Sequence, residues 1–288
     1  MRYISTIGFF DGVHLGHRYV LAELACIAKQ NNLSTKVVTF AHHPRTLLNI
    51  SHNESGFLLT TTEERTALLA DLSDKVLILD FSCVHTLTAR QFIRYLHKEE
   101  QVDILLMGYD HRFGSDMPAT FTEYQRIAED EGVSLIQLSE YNDVGHVSST
   151  IIRNLLLNGN IAKANTLLGY EYMISGKVVQ GRQIGRQIGF PTANISVDSS
   201  KLVPCDGVYG VDVIINGNDS RRGILNIGCN PTVDGQQRSL EVHIPEFNAQ
   251  IYDTDIRIRL KNFIRHEIRF DSLEQLKSQI ERDIEKLM

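Results

Sequence analysis

Over roughly the first 169 residues, short apolar runs alternate with amphipathic stretches. Residues 37–40, 76–79 and 104–107 are apolar on both faces, which predicts strands buried from either side. Between them lie helices with recognisable starts. Thr61-x-x-Glu64 and Thr88-x-x-Gln91 read as capping boxes, in which a threonine hydroxyl and the acid or amide three residues on satisfy each other's backbone N–H groups. Strand–helix–strand repetition predicts a parallel sheet covered by helices on both faces. Two further helical stretches, 148–157 and 161–168, are expected to close this half.

The period changes after Tyr170. Asn216-Gly217 separates apolar residues 211–215 from 223–227, and Asp234-Gly235 precedes 239–244. Both dipeptides tolerate positive φ and so signal hairpins. Hairpins in series imply an antiparallel sheet, which loses its edges by closing into a small barrel. One helix ends the chain, with Ser272 and Gln275 as its capping box and Leu273, Leu276, Ile280, Ile284 and Leu287 along one face. The domains are expected to be 1–169 and 170–288.

Composition adds bounds. A chain of 288 residues is long enough for two cores, and 42% hydrophobic with 22% charged residues is ordinary for a globular protein. Lys and Arg total 29 against 35 acids, a net charge of −6, which argues against a nucleic-acid surface. Cys26, Cys83, Cys205 and Cys229 form no Cys-x-x-Cys pair and fit reduced thiols. No apolar run approaches the ~20 residues that span a bilayer. The cytoplasm is the expected location, with no membrane partner.

The chemistry concentrates in three segments. Residues 181–194 read Gly-Arg-Gln-Ile-Gly-Arg-Gln-Ile-Gly-Phe-Pro-Thr-Ala-Asn. Gly181, Gly185 and Gly189 allow close backbone approach, Arg182 and Arg186 attract anions, and Thr192 and Asn194 offer oxygen ligands to a hard cation such as Mg²⁺. The glycines follow neither the Walker nor the dinucleotide spacing. A second segment, Gly8-Phe9-Phe10-Asp11-Gly12-Val13-His14-Leu15-Gly16-His17, joins the first strand to the first helix, where ligands of open parallel sheets bind. His14 and His17 can each donate a hydrogen bond to phosphate. The third segment, Ser148-Ser149-Thr150-Ile151-Ile152-Arg153, offers hydroxyls at a helix start and one cation.

The 181–194 run resembles the phosphate loop and Pro-Thr-Ala-Asn motif of riboflavin kinases. His-x-Gly-His after a first strand is similar to the signature of α/β nucleotidyltransferases. With Phe-Asp-Gly-Val ahead of it and Ser-Ser-Thr-x-x-Arg later, it resembles the FAD synthetase branch. The whole chain thus resembles bacterial bifunctional riboflavin kinase/FAD synthetases. The resemblance implies an α/β, Rossmann-like nucleotidyltransferase domain with a parallel sheet, followed by an antiparallel β-barrel riboflavin kinase domain. It further implies that Glu241, in Leu240-Glu241-Val242-His243, is the kinase base, with Mg²⁺ bound by Thr192 and Asn194 nearby. His14 and His17 would act in adenylylation, with Gly8, Phe10, Gly16, Asp110, Ser148, Ser149, Thr150 and Arg153 around ATP. The substrates and products would be riboflavin, FMN, FAD and ATP. His43, Arg112 and Arg269 are the expected flavin contacts.

Some positions depart from the family. His42 stands where proline is usual, His111 replaces an aromatic, and Ser115–Thr120 replaces a Gly-Arg-x-Gly stretch. These departures are expected to touch FMN rather than ATP. An alternative reading is a riboflavin kinase whose N-terminal domain has become a flavin-binding or regulatory module. The spacing of His14, His17, His42, His43 and His111 matches no zinc ligand set.

Overall fold

The computed structural model describes residues 1–42, 57–109, 111–139, 146–181, 185, 189–217, 220–232 and 235–287. In the first half, strands and helices alternate as β1 (Tyr3–Ile7), α1 (Leu15–Asn31), β2 (Ser34–Phe40), α2 (Thr62–Ala70) and β3 (Lys75–Leu79). They continue as α3 (Phe81–Val84), α4 (Ala89–Lys98), β4 (Val102–Met107), α5 (Phe121–Asp130) and β5 (Ser134–Gln137). Helices α6 (Ser149–Leu157) and α7 (Ile161–Leu168) follow. The second half comprises β6 (Met173–Val179), β7 (Thr192–Val197), β8 (Gly207–Ile215), β9 (Arg221–Thr232), β10 (Gly235–His243), β11 (Asp255–Arg265) and α8 (Leu273–Glu285).

The first five strands form a parallel sheet in the order β3-β2-β1-β4-β5. Because successive side chains point to opposite faces, neighbours such as Val37 and Val38, or Leu106 and Leu105, enter separate cores. Val37 and Leu106 pack with Leu21 and Leu24 of α1, whereas Val38 and Leu105 pack with Phe92, Ile93 and Leu96 of α4. Both threonine capping boxes are complete. One expectation fails at β3. It is the outer strand, paired with β2 alone, and Ile78 is 41% exposed, so an apolar run does not by itself imply cover on both faces.

The remaining strands close into an antiparallel barrel, β10-β7-β6-β11-β8-β9. Asn216 and Gly217 both have positive φ, as the hairpin signal requires. Gly235 pairs with Thr232 across the β9–β10 turn, while Asp234 lies outside the described residues. The terminal helix departs from expectation twice. Ser272 Oγ accepts from Gln275 N at 3.3 Å, but Gln275 Oε1 accepts from Asp271 N, so the box is only half formed. Leu273 is exposed, and the most buried residue of α8 is Asp283, which accepts from Arg265 Nε at 2.8 Å and Gln279 Nε2 at 2.9 Å.

By packing, the chain divides into one compact unit of Met1–Glu54 with Thr60–Ser149 and another of Ser55–Leu59 with Thr150–Met288. Leu58 N donates to Ser200 O at 2.8 Å, Leu202 N donates to Leu58 O at 2.7 Å, and Lys201 Nζ reaches Leu59 O at 2.6 Å. Helices α6 and α7, read from sequence as the close of the first half, pack in the second unit. Asn165 of α7 donates to Leu260 O at 2.9 Å and accepts from Tyr172 N at 2.8 Å. Ile161, Ala164, Leu167 and Leu168 are buried. A fragment starting at residue 150 should therefore be more stable than one starting at 170 by about 3 kcal/mol or more, because burying a Leu or Ile contributes ~1.5–3 kcal/mol. Denaturant unfolding of the two fragments measures this, and equal midpoints would contradict the packing argument.

Candidate active sites

The carboxyl ends of β1, β4 and β5 open onto a pocket lined by Gly8, Phe10, His14, Gly16, His17, Gly108, His111, Ser148 and Ser149, among others. The sheet order reverses between β1 and β4, which leaves a crevice there between helices on opposite faces. The loop from β1 into α1 is held in a strained shape. Phe10 has φ 57° and the β-branched Val13 φ 38°, both uncommon for side chains with a Cβ. Three bonds fix it. Thr60 N donates to Asp11 Oδ1 and Gly12 N donates to Thr60 Oγ1, each at 3.1 Å, and Ser149 Oγ donates to Asp11 O at 2.9 Å. The role of Asp11 as a brace is not visible in its motif, because Thr60 is 49 positions away.

Residue His14 occupies the N-cap of α1 without a side-chain cap bond, so its imidazole is not spent on the helix end. The rings of His14 and His17 stack, with centroids 3.6 Å apart and planes 17° from parallel, and Phe10 meets the His17 ring edge-on at 5.3 Å. Burial first, then the adjacent His14, holds the His17 imidazole well below its ordinary pKa. His17 is thus a neutral ring, with Nδ1 buried and unpaired among the described residues. Beneath the loop, Arg65 is fully buried with its guanidinium 4.1 Å over the Phe9 ring, and its Nη2 donates to Phe40 O at 2.6 Å. Burial pulls its pKa to about 10.

Not all expected residues gather here. Thr150 is exposed, and Arg153 donates through Nε to Phe57 O at 2.9 Å with its guanidinium 4.0 Å over the Phe57 ring. Neither lines the pocket. Arg112 is exposed and also absent from the lining, while Asp110 and His43 lie outside the described residues. Of the departures from the family, His111 lines the pocket but His42 is exposed at the end of β2. Ser115–Thr120 serves another purpose. Asp116 Oδ1 accepts from Ala89 N at 2.7 Å and Thr120 caps α5, so this segment builds helix starts rather than the pocket wall.

The second pocket lies in the barrel, and strand register explains its composition. Directly opposed residues of antiparallel strands share a face. Asn194 opposes Glu241, Glu241 opposes Asn226, Asn226 opposes Val208 and Val208 opposes Arg265. That row crosses five strands. The adjoining row holds Thr192, His243 and Ile224. Gly185, Phe190, Thr192, Glu241, Asn226, His243, Arg265 and Glu267 line the pocket, with Phe270, Leu276 and Ile280 supplying an apolar side. Thr192 Oγ1 donates to Glu241 Oε2 at 3.1 Å. His243 Nδ1 lies 2.8 Å from Pro191 O, and its ring meets Phe190 edge-on.

Of the phosphate-loop residues, Gly185 lines the pocket. Gly181 is packed so closely on the Asn194 side chain that a Cβ would collide with it, and Gly189 has φ 87°. Arg182 and Arg186 lie outside the described residues. Arg269 is exposed and not part of the lining, whereas Arg265 and Glu267, two and four residues earlier, are. Nothing local in the sequence marks Asn226, Arg265, Glu267 or Asp283 as site residues. Only the cross-strand register and the helix docking bring them to the site. Among the described residues no three His, Cys, Asp or Glu side chains gather as metal ligands.

Residues 1–151 match the FAD synthetase family and residues 168–288 the riboflavin kinase family. The bifunctional riboflavin kinase/FMN adenylyltransferase of Escherichia coli strain K12 is 38% identical over 284 residues, covering 97% of this chain and 90% of its own. That of Bacillus subtilis strain 168 is 35% identical over 286 residues, with the same coverage of 97% and 90%. A crystal structure described as a macrolide-efflux protein from Streptococcus pneumoniae aligns with a TM-score of 0.89 at 33% identity, covering 99% of this chain and 93% of that one. No helix among the described residues is long and apolar enough to cross a membrane. With the synthetase match on the parallel-sheet half, the kinase match on the barrel and relatives aligned along nearly the whole chain, this chain belongs to the bifunctional riboflavin kinase/FMN adenylyltransferase family.

Proposed function

We propose that the chain makes both flavin nucleotides: the barrel pocket phosphorylates riboflavin with ATP to FMN and ADP, and the crevice pocket joins FMN to ATP as FAD and pyrophosphate. The observation that carries the first assignment is the Thr192–Glu241 contact on one face of the barrel. An alcohol is a poor nucleophile until it loses its proton. Glu241 is the base that takes the ribityl 5′-hydroxyl proton as that oxygen attacks the γ-phosphorus of ATP. Thr192 and the Glu241 carboxylate line the pocket with oxygen donors, which suit Mg²⁺, whereas Asn194 packs against Gly181 and is not part of the lining. Thr192 would hold the ion with Asn194 nearby, and the ion would neutralise charge on the ATP phosphates. The ATP requirement and the unpaired Cys26, Cys83 and Cys205 fit a cytoplasmic enzyme.

In the crevice, His14, His17 and Ser148 supply hydrogen-bond donors and the first turn of α1 supplies backbone N–H groups beside Gly16, while Ser149 spends its hydroxyl proton on Asp11 O. We assign them to the ATP phosphates, where charge builds on the α-phosphate and the departing pyrophosphate. Gly8 and Phe10 complete the nucleotide wall, and His111 faces the same space. Arg269 and Arg112, both exposed, are assigned to the flavin entrances.

Glu241→Gln keeps the side chain's size but cannot accept the proton, so FMN formation should fall by about 10²–10⁴. FAD formation from supplied FMN should persist in the same preparation. Normal FMN production by this variant would remove the base assignment. His17→Ala should lower FAD formation by about 10²–10³ while sparing the kinase; equal loss of both activities would point to a folding defect instead.

The neutral state of His17 also sets a pH dependence. Its pKa is lower folded than unfolded, so below about pH 6.5 the unfolded chain binds the extra proton. Stability is therefore highest above that pH and falls as pH falls, by at most about 1.4 kcal/mol per unit from this group. Thermal unfolding at about pH 7.5 and 5.5 should show a smaller acid loss in His17→Gln than in wild type; an identical loss would mean that His17 titrates normally in the fold.

A further inference from the structure

His243 is buried against the barrel pocket and takes no part in the chemistry assigned to Glu241 and Thr192. Its Nδ1 lies 2.8 Å from Pro191 O, and a carbonyl oxygen only accepts, so Nδ1 carries the ring proton. The position of that partner is informative. The β7–β10 ladder runs through Asn194–Glu241, Ala193–Val242 and Thr192–His243 and stops there. Pro191, the next residue out, has no N–H with which to extend it. The His243 side chain thus makes the contact with Pro191 that the backbone ladder does not. From the other side of the same turn, Phe190 N donates to Gly185 O at 2.8 Å. The Phe190 ring also meets the His243 ring edge-on, with centroids 5.4 Å apart.

Thr192 follows Pro191 directly. Its Oγ1 donates to Glu241 Oε2 at 3.1 Å, and the same oxygen is the one assigned to the cation. A β-branched side chain has little freedom at χ1, so the backbone beneath it sets the direction of that hydroxyl. We propose that His243 is a positioning residue of the kinase site: by donating from Nδ1 to Pro191 O it fixes the start of β7, and so aims the Thr192 hydroxyl at Glu241 and at the cation the pocket would hold. Without this bond the first residue of β7 frays, and its hydroxyl loses its place beside the carboxylate. The proposal rests on the assignment of the barrel pocket to riboflavin phosphorylation.

The test uses the full-length protein and compares His243→Asn, His243→Gln, His243→Leu, Thr192→Ala and the Thr192→Ala/His243→Leu double variant. Histidine Nδ1 and the asparagine amide nitrogen are both bonded to Cγ, so His243→Asn keeps a donor near the same place; glutamine puts its amide nearer Nε2. His243→Leu and His243→Gln should each lower kcat/KM for MgATP about tenfold, the scale of one lost orienting hydrogen bond. They should also raise the Mg²⁺ concentration needed for half-maximal FMN formation. The KM for riboflavin should move by less than about twofold, and His243→Asn should stay within about threefold of wild type throughout. The double variant should be no worse than Thr192→Ala alone, because His243 acts through Thr192. Hydrogen exchange of the ligand-free protein gives a readout independent of turnover. Amides of residues 190–196 should exchange faster in His243→Gln and return toward wild type in His243→Asn, with those of β8 unchanged in both. If His243→Leu loosens the whole barrel, β8 exchange rises with it and the asparagine–glutamine comparison decides. A neutral His243→Gln, rescue by glutamine rather than asparagine, multiplying losses in the double variant, or equally faster exchange in β7 and β8 of His243→Gln would overturn the proposal. If Glu241→Gln is inactive while His243→Gln is neutral, only this inference fails; if Glu241→Gln phosphorylates riboflavin normally, the site assignment fails with it.

Discussion

Closure of the barrel is the constraint on which its pocket depends. Side chains alternate faces along a strand, so a one-residue slip would turn Glu241 to the opposite face and bring Leu240 or Val242 into the pocket. A closed six-stranded ring leaves little freedom for such a slip, because each strand is paired on both sides. The row from Asn194 through Glu241, Asn226 and Val208 to Arg265 is therefore a product of register, assembled from residues 194 to 265. Arg265 then extends the row to the last helix through Asp283, whose side chain is 2% exposed. A buried ion pair contributes little net stability, but removing one partner typically costs about 3–5 kcal/mol. The pair is better understood as a fixed point that decides where α8 stands against the pocket.

The crevice follows a different logic, in which a strained loop is held by bonds made elsewhere. Phe10 and Val13 sit in backbone regions that cost of order 1–3 kcal/mol each. Asp11 and Thr60 brace the loop from one side, and Arg65 supports Phe9 from another. Arg65 is itself an expense, since its Nε and Nη1 are buried without partners among the described residues. These costs make sense if the loop must present Gly8, Gly16 and the two imidazoles in one arrangement before any nucleotide arrives.

Local patterns in the sequence were legible where a short-range rule produced them. The capping threonines at 61 and 88, the Asn216-Gly217 turn and the buried strands β2 and β4 all follow from neighbouring residues. The change of period also separated the sheet from the barrel. What the chain did not reveal were outcomes of tertiary placement. An apolar strand at 76–79 could not announce that it lay at the sheet's edge, and α6 and α7 could not show which core they would join. Asp283 looked like an ordinary polar residue on a surface helix, because nothing local marks its partner eighteen positions earlier. Nothing beside Asn226 in the sequence points to Glu241, because their relation exists only through the β9–β10 register. Motif resemblance did locate Glu241, His14 and His17 within their pockets, but it gave no warning that Arg153 would pack on Phe57.

The two sites differ in charge because, on the proposed assignment, their nucleophiles differ in proton content. Riboflavin attacks through an alcohol, which holds its proton at neutral pH, so the barrel must supply a base. It does so with Glu241, an ionisable carboxylate on a rigid strand. FMN attacks through a phosphate oxygen that is already ionised, and a base there would have nothing to remove. What that reaction needs is relief of repulsion between two polyphosphate-like anions, which hydrogen-bond donors and a helix N-terminus provide. A carboxylate among the crevice's donors would add to the repulsion, whereas a neutral His17 donates a hydrogen bond without competing for a proton. The low pKa of His17 and the carboxylate at Glu241 are thus matched answers to two different nucleophiles carried by one chain.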